Sequence, residues 1–189
     1  MTTSTDICNE AIALIGGNQP PITGVAPNFD SSAAGQVAAK VYASAVATVA
    51  NQFGWDFARS SVPLTTTGNT PPFPWTYEYG YPAGCVEIWQ LTPPSLADAN
   101  NPLPVDWTVG INIVGGAQVR VVWSSLASAR AVFNCNPAEG TWTALFRQAV
   151  VRLLASEFAL GVAGKPDLSQ THLESAGAFE KLGEMRGEA

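Results

Sequence analysis

Two long segments of this chain are rich in alanine and almost free of charge. The segments 31–53 and 141–163 have helical periodicity, and together they carry only Lys40, Arg147, Arg152 and Glu157 as charged side chains. A helix with so few charges must have most of its faces covered by other elements. The pattern predicts helices that pack against one another. It also favours packing between subunits, because a chain of 189 residues has limited means to cover them alone.

The overall composition narrows the class of protein. Charged residues make up 13% of the chain, about half of the usual ~25%. Six Trp and eight Phe residues provide large apolar areas to bury, which argues against a disordered chain. The net charge of −6 disfavours nucleic acid as a bound partner, because phosphate binding needs concentrated Lys and Arg.

Neither a metal or cofactor site nor a membrane segment is expected. Cys8, Cys85 and Cys135 are widely spaced and form no CxxC or Cys/His cluster, so we expect reduced, mostly buried thiols and no zinc site. The N-terminus has no basic segment followed by an apolar run, so it is not a signal peptide. The longest apolar stretch, 145–162, is interrupted by charges and does not span a membrane.

Periodicity predicts two helices at each end of the chain. We expect the first at 6–15, capped by Thr5 or Asp6, and the last from Asp167 towards the C-terminus. The other two are the charge-poor segments.

The middle of the chain reads as β-structure. Strands are expected at 59–67 and 85–91, and a hairpin is expected where two alternating runs flank Gly115-Gly116. Val109, Ile111 and Ile113 form the first of these runs, and 124–140 reads as irregular. The fold class is therefore α+β, a bundle of about four helices with an inserted antiparallel β module. The bundle comprises 1–58 and 141–189, and the module 59–140.

Catalytic chemistry finds little support. His172 is the single histidine, and we expect it to be exposed near the start of the last helix rather than to act as a general base. The β module holds four carboxylates that a hydrolase could use. They are Glu78, Glu87, Asp98 and Asp106.

Aromatic residues surround these carboxylates and allow two interpretations. They could form a carbohydrate-binding surface, or they could build the core of a small sheet, and the second is favoured because aromatics are common strand and core residues. They are Trp75, Tyr77, Tyr79, Tyr81, Trp89 and Trp107.

A polar strip along the second helix also allows two interpretations. Gln36, Lys40, Ser44 and Thr48 share one side of it. They form either a solvated face or, with the neighbouring alanines, a subunit-packing surface.

An ordered set of segments resembles one known family. The opening segment 7–16 (ICNEAIALIG) resembles the IxNxALxxLG start of phage head–tail connector proteins, the adaptor or tail tubular protein A family. The segment 53–59 (FGWDFAR) is similar to their xxPWxFAxxR segment, and 79–86 (YGYPAGCV) to their YxYxLPxDCLxV strand entry. A final Ala/Leu helix at 145–163 completes the series.

The resemblance implies a non-enzymatic ring protein without cofactors, typically of about twelve subunits. Such a ring docks beneath the portal protein after DNA packaging, in the neck of the virion, and presents a platform to the downstream tail or nozzle protein. It assembles in the host cytoplasm, and a negative ring would let DNA pass without binding it. By the same resemblance, the C-terminal segment is the candidate portal-docking element. Its candidate residues are Asp167, Leu168, Leu173, Phe179 and Leu182.

Two other functions remain open from the residues alone. One is an aromatic-rich carbohydrate-binding or tail-associated binding module. The other, with less support, is a hydrolase that uses a pair of the β-module carboxylates.

Overall fold

The computed structural model describes residues 3–16, 19–52, 55–94, 105–114 and 116–185. The chain has an α+β fold and divides into a helical unit, 1–58 with 136–189, and a β unit, 59–135. The insertion ends at residue 135 rather than at 140 as expected. The segment after it belongs with the helices, where the Tyr42 hydroxyl donates to Oε1 of Glu139 at 3.1 Å.

Four helices build the helical unit. They are α1 (Ser4–Ile15), α2 (Ala33–Gln52), α3 (Ala144–Gly161) and α4 (Pro166–Met185). Two short strands, β1 (Gly24–Val25) and β2 (Asn28–Phe29), pair in the segment between α1 and α2. Phe53, Gly54 and Gly115, which entered the sequence interpretation, lie outside the described residues.

Helix α1 is fixed at its start by a capping box. The cap is Thr3 rather than the expected Thr5 or Asp6: its hydroxyl accepts from the Asp6 amide, and the Asp6 carboxylate accepts from the Thr3 amide at 2.9 Å. Further along α1, the Asn9 side chain makes two hydrogen bonds with the backbone of Ile22, at 2.7 and 3.1 Å. These bonds hold the following segment against the helix.

Helix α3 is the centre of the helical unit. Nine of its residues are buried. Successive positions of a helix are rotated by about 100°, so these nine side chains point in all directions around the helix axis. Helices α1, α2 and α4 all pack against it. The absence of charge in this segment is thus explained by cover within the chain.

Aromatic rings close one part of this core. Trp55 is fully buried, its indole N–H donates to the Val49 carbonyl at 2.9 Å, and its ring meets Phe146 edge-on at 5.2 Å. Gly183 of α4 lies against the same indole, and a Cβ at this position would stand 2.5 Å from the ring. A side chain there would push α4 away from Trp55.

Two three-stranded antiparallel sheets build the β unit. Their strands are β3 (Arg59–Pro63), β4 (Tyr77–Gly80), β5 (Cys85–Thr92), β6 (Trp107–Val114), β7 (Ala117–Ser124) and β8 (Arg130–Cys135). One sheet has the order β3-β8-β5 and the other β4-β7-β6. Both contribute to one apolar core, which includes Tyr79 and Val122 from one sheet and Ile88 and Phe133 from the other.

The expected hairpin is confirmed, but one central strand was missed. Strands β6 and β7 pair across residues 115–116 with Val109 opposite Val122. The segment 124–140, expected to be irregular, contains β8, which is the middle strand of its sheet. Ala131 and Phe133 alternate inward there. Ala, Asn and Cys in this strand give a weak β signal, so tertiary pairing decides its structure.

The cysteines also differ from expectation. Cys8 is buried, but Cys85 and Cys135 are only half-buried, and they lie directly opposite each other on β5 and β8 without forming a disulfide.

A buried carboxylate organises the second sheet. Glu78 on β4 accepts hydrogen bonds from Thr67 (2.7 Å), Asn69 (2.8 Å), Asn112 (2.9 and 3.0 Å) and the Trp123 indole (2.9 Å). Burial raises the pKa of Glu78, but these donors outweigh it and lower the pKa to about 2. The carboxylate therefore stays ionised and joins the 67–69 segment to β6 and β7.

Replacing this carboxylate should destabilise the β unit. In Glu78→Gln the amide NH2 must face at least two donors, so we expect a loss of about 3 kcal/mol in the free energy of unfolding at pH 7. The folded-state pKa lies below the unfolded value of 4.5, so the loss should be full above that pH and shrink towards pH 2.

Urea unfolding followed by tryptophan fluorescence measures this loss. Glu87→Gln, at an exposed position on β5 of the same unit, is the matched control and should change little. Equal stability of the Glu78→Gln variant and the native chain at pH 7 would contradict the assignment.

Candidate interaction surfaces

The polar strip of α2 is exposed in the isolated chain. Gln36, Lys40, Ser44 and Thr48 all lie on the solvent side, and the opposite side of the helix is buried in the core. Gln36 donates to the carbonyl of Ser31, just before the helix, at 3.0 Å, and Ser44 donates to the Val41 carbonyl at 2.9 Å, so both side chains are partly satisfied by nearby backbone. This face is available to a partner, but its use in subunit packing stays a prediction.

The charged residues of the charge-poor helices lie at the edges of the core. Lys40 and Glu157 are exposed. Arg147 forms an ion pair with Glu10 of α1 at 2.5 Å. Arg152 lies 3.3 Å from Nδ1 of His172 on α4.

The candidate docking residues of α4 do not form one surface. Asp167 is exposed, whereas Leu168 and Phe179 are half-buried against the helical core. Leu173 and Leu182 are 48% and 41% exposed. They are nine positions apart and so lie on opposite sides of the helix. Leu182 shares its side with the exposed Met185, at the C-terminal end of α4.

His172 is buried, so the expectation that it is exposed was wrong. Its ring lies beneath α4 beside Arg152. Burial and the Arg152 charge lower the pKa of His172, although a hydrogen bond with the Leu14 backbone opposes them. The imidazole is therefore neutral at pH 7 and acts as a core residue between α1, α3 and α4.

The aromatic residues of the β unit mainly form core. Tyr79 is fully buried and its hydroxyl donates to the Leu126 carbonyl at 2.6 Å, while Tyr77, Tyr81 and Trp107 pack against the same core. Trp75 is half-buried. Trp89 is exposed, and the Arg59 guanidinium lies 5.2 Å from the centre of its ring. This arrangement does not favour a carbohydrate platform.

The carboxylates of the β unit are not arranged as a catalytic pair in the described residues. Glu78 is surrounded by hydrogen-bond donors, and its low pKa makes it unsuitable as a general acid. Glu87 and Asp106 are exposed, and Asp98 lies outside the described residues.

Sequence reasoning missed an apolar edge. The alternation of Val109, Ile111 and Ile113 predicts a buried face, yet Ile111 and Ile113 are 61% and 68% exposed. They lie on β6, which is an edge strand of its sheet. The face that buries Val122 extends past the end of the small core, and the alternation alone cannot show where that core ends.

No helix in the described ranges is long and apolar enough to cross a membrane. The same ranges contain no group of three or more His, Cys, Asp or Glu residues that could hold a metal ion. Known family models give no match to the chain, and curated proteins give none either.

Helix α4 also carries a buried acid that should make its packing depend on pH. Glu180 is 4% exposed, and burial raises its pKa from 4.5 to about 7. The Gln52 side chain of α2, oriented with its nitrogen towards the carboxylate, donates to both oxygens at 2.5 and 3.0 Å.

We expect the helical unit to lose stability as the pH rises from about 4.5 through 7. The folded state retains the Glu180 proton in this window and the unfolded chain does not, so raising the pH favours unfolding. Glu180→Gln removes this dependence and should be more stable than the native chain at pH 8 by about 1 kcal/mol, because the Gln52 hydrogen bonds favour the charged carboxylate and offset part of the cost of its burial. The gain should vanish near pH 4.5.

Thermal unfolding at pH 5 and pH 8 checks this expectation. Glu184→Gln, an exposed position on the same helix, is the control. A native chain that is as stable at pH 8 as at pH 5, with no gain from Glu180→Gln, would refute it.

Proposed function

We propose that the chain is a structural subunit of the head-to-tail connector of a tailed bacteriophage, an adaptor rather than an enzyme. It forms a ring below the portal, completes the head after DNA packaging and provides the platform for tail attachment. Its partners are the portal protein, the downstream tail or nozzle protein and other copies of itself, in a ring of about twelve subunits. Its place is the virion neck, reached after assembly in the host cytoplasm.

The main support is the position of the family-like segments in the fold. The segment 7–16 lies on α1, 79–86 spans the turn from β4 into β5, and 145–163 covers the central helix α3. The described part of 53–59 includes the buried Trp55 that packs on α3. The resemblance therefore falls on the elements that hold each unit together, in the same order along the chain.

The surfaces fit a protein that acts by assembly. Apolar side chains are exposed at the end of α4 and on β6. The exposed polar strip of α2 carries Lys40 as its one charged residue. Exposed apolar groups of this kind mark interaction sites. The net charge of −6 suits a channel through which DNA passes without binding.

Electron microscopy tests the proposal. The chain, alone and mixed with purified portal rings of the phage that encodes it, should give rings of about twelve subunits stacked on the portal. Portal must be included, because adaptors of this kind can be monomeric until they meet it. A chain that stays monomeric and never binds portal rings would overturn the proposal.

A pair of matched variants locates the portal contact. Leu182→Glu places a charge beside Met185 at the end of α4, and we expect it to weaken portal binding about tenfold or more, a cost of ~1.4 kcal/mol. Leu173→Glu introduces the same charge at a similarly exposed leucine on the opposite side of α4 and should bind as the native chain does. Equal binding by both variants would contradict docking through this end of the helix.

A further inference from the structure

A pocket of about 250 Å³ opens on the helical unit beside α2. Its walls come from β2, α2 and the segment 136–142. Known small-molecule sites are mostly larger, about 300–1,000 Å³, so the volume suits a ligand of the size of a side chain.

The walls of this pocket are mostly apolar and aromatic. Phe29, Tyr42 and Trp142 contribute rings, and Pro27 and Pro137 contribute apolar surface. Phe29 and Tyr42 meet edge-on at 6.0 Å, and the Trp142 indole is anchored by a hydrogen bond to the Pro137 carbonyl at 3.0 Å. The aromatic walls are therefore fixed by the fold.

Glu139 is the one charged residue among the pocket's lining residues. Its Oε1 accepts from the Tyr42 hydroxyl, but no Lys or Arg of the described residues pairs with it. Arg147, which lines the adjoining surface depression with Glu139, is engaged with Glu10 instead. The Glu139 carboxylate therefore accepts a hydrogen bond from the neutral Tyr42 hydroxyl but is not paired with a cation of the described residues.

These features select among ligand classes. An anion would be repelled by Glu139, and a neutral apolar ligand would remove water from the carboxylate without replacing its hydrogen bonds. A cation on an aliphatic stem fits both the carboxylate and the walls of the pocket, because its charge pairs with Glu139 and its stem contacts the apolar side chains. Aromatic rings add cation–π attraction of about 0.5–2 kcal/mol.

We propose that this pocket binds an organic cation on a short aliphatic stem, the chemistry of a lysine or arginine side chain, with Glu139 as the counter-ion. Tyr42 holds the carboxylate in place, and Phe29 and Trp142 form the walls. The site stands on its own geometry and does not depend on the connector function. In an assembly the cation is supplied by a side chain of a neighbouring protein chain.

The test uses n-butylguanidinium as the probe and n-butylurea as its neutral counterpart of similar shape. Binding is followed through the indole N–H signal of Trp142 in ¹H–¹⁵N NMR spectra of the full chain, assigned with Trp142→Phe. We expect saturable shifts with a dissociation constant on the order of millimolar for the guanidinium. The urea should bind about tenfold more weakly or worse. Equal affinity for the two probes would overturn the proposal.

Two variants examine the site itself. Glu139→Gln keeps an oxygen that accepts from Tyr42 and should weaken guanidinium binding about tenfold without changing butylurea binding. Ala43→Leu, at an exposed position of α2 that lines the pocket, should block both probes. Glu157→Gln, an exposed carboxylate outside the pocket, is the control. Undiminished guanidinium binding by a folded Glu139→Gln variant also overturns the proposal.

A further experiment identifies which protein chain supplies the cation. If a second copy of the chain supplies it, excess n-butylguanidinium should dissociate any oligomer seen by analytical ultracentrifugation, and n-butylurea should not. If a different protein supplies it, the oligomer should be unaffected while the probe still binds.

Discussion

The burial of α3 on all sides is the constraint on which the helical unit depends. Nine of its residues are buried, and α1, α2 and α4 each pack against it. A helix surrounded in this way cannot carry charge on its inner turns without a partner, because an unpaired charge in the core costs several kcal/mol. Its two arginines accordingly lie at the edge, one paired with Glu10 and the other beside His172.

The same logic explains why the two charge-poor helices differ. Both read alike in sequence, yet α3 is covered by its own chain and α2 has one face in solvent. Small residues on the inner side of α2, such as Ala38 and Ala45, permit close packing, while the outer side keeps Gln36, Lys40, Ser44 and Thr48. The exposed strip, the end of α4 and the β6 edge offer surface for a partner to bury. The pocket at Glu139 is a further candidate interaction site, and it carries a negative charge. These surfaces give the connector proposal a physical basis, and each can be examined separately.

Much of the fold follows from periodicity. The four helices, the β6–β7 hairpin and the position of the insertion between α2 and α3 could all be predicted, because their apolar spacing is long and regular. Strand β8 could not, because Ala131, Asn134 and Cys135 have little intrinsic β preference and pairing with two neighbouring strands decides their conformation.

Side chains at the candidate sites were harder to predict, because their environment is tertiary. His172 lies by its spacing on the same side of α4 as Leu168 and Phe179, but its polarity favoured an exposed position. Glu180 is acidic and lies at the margin of that side, so its burial could not be predicted from the pattern. Leu168 and Phe179 are half-buried against the core and Ile111 and Ile113 are exposed for the same reason: a periodic pattern identifies a face but not how far the core extends beneath it. The Glu139 pocket brings together residues from β2, α2 and the 136–142 segment. No local pattern in the sequence joins them.

Helix α3 is covered by its own chain, so the helical unit should be stable without a neighbouring subunit. Native-state hydrogen exchange measures this most directly, with the chain diluted until ultracentrifugation shows only monomer. We expect the amides of residues 146–159 to be the most protected in the helical unit and to exchange only with its global unfolding. Rapid exchange of these amides in the monomer, slowing only as the chain assembles, would contradict it.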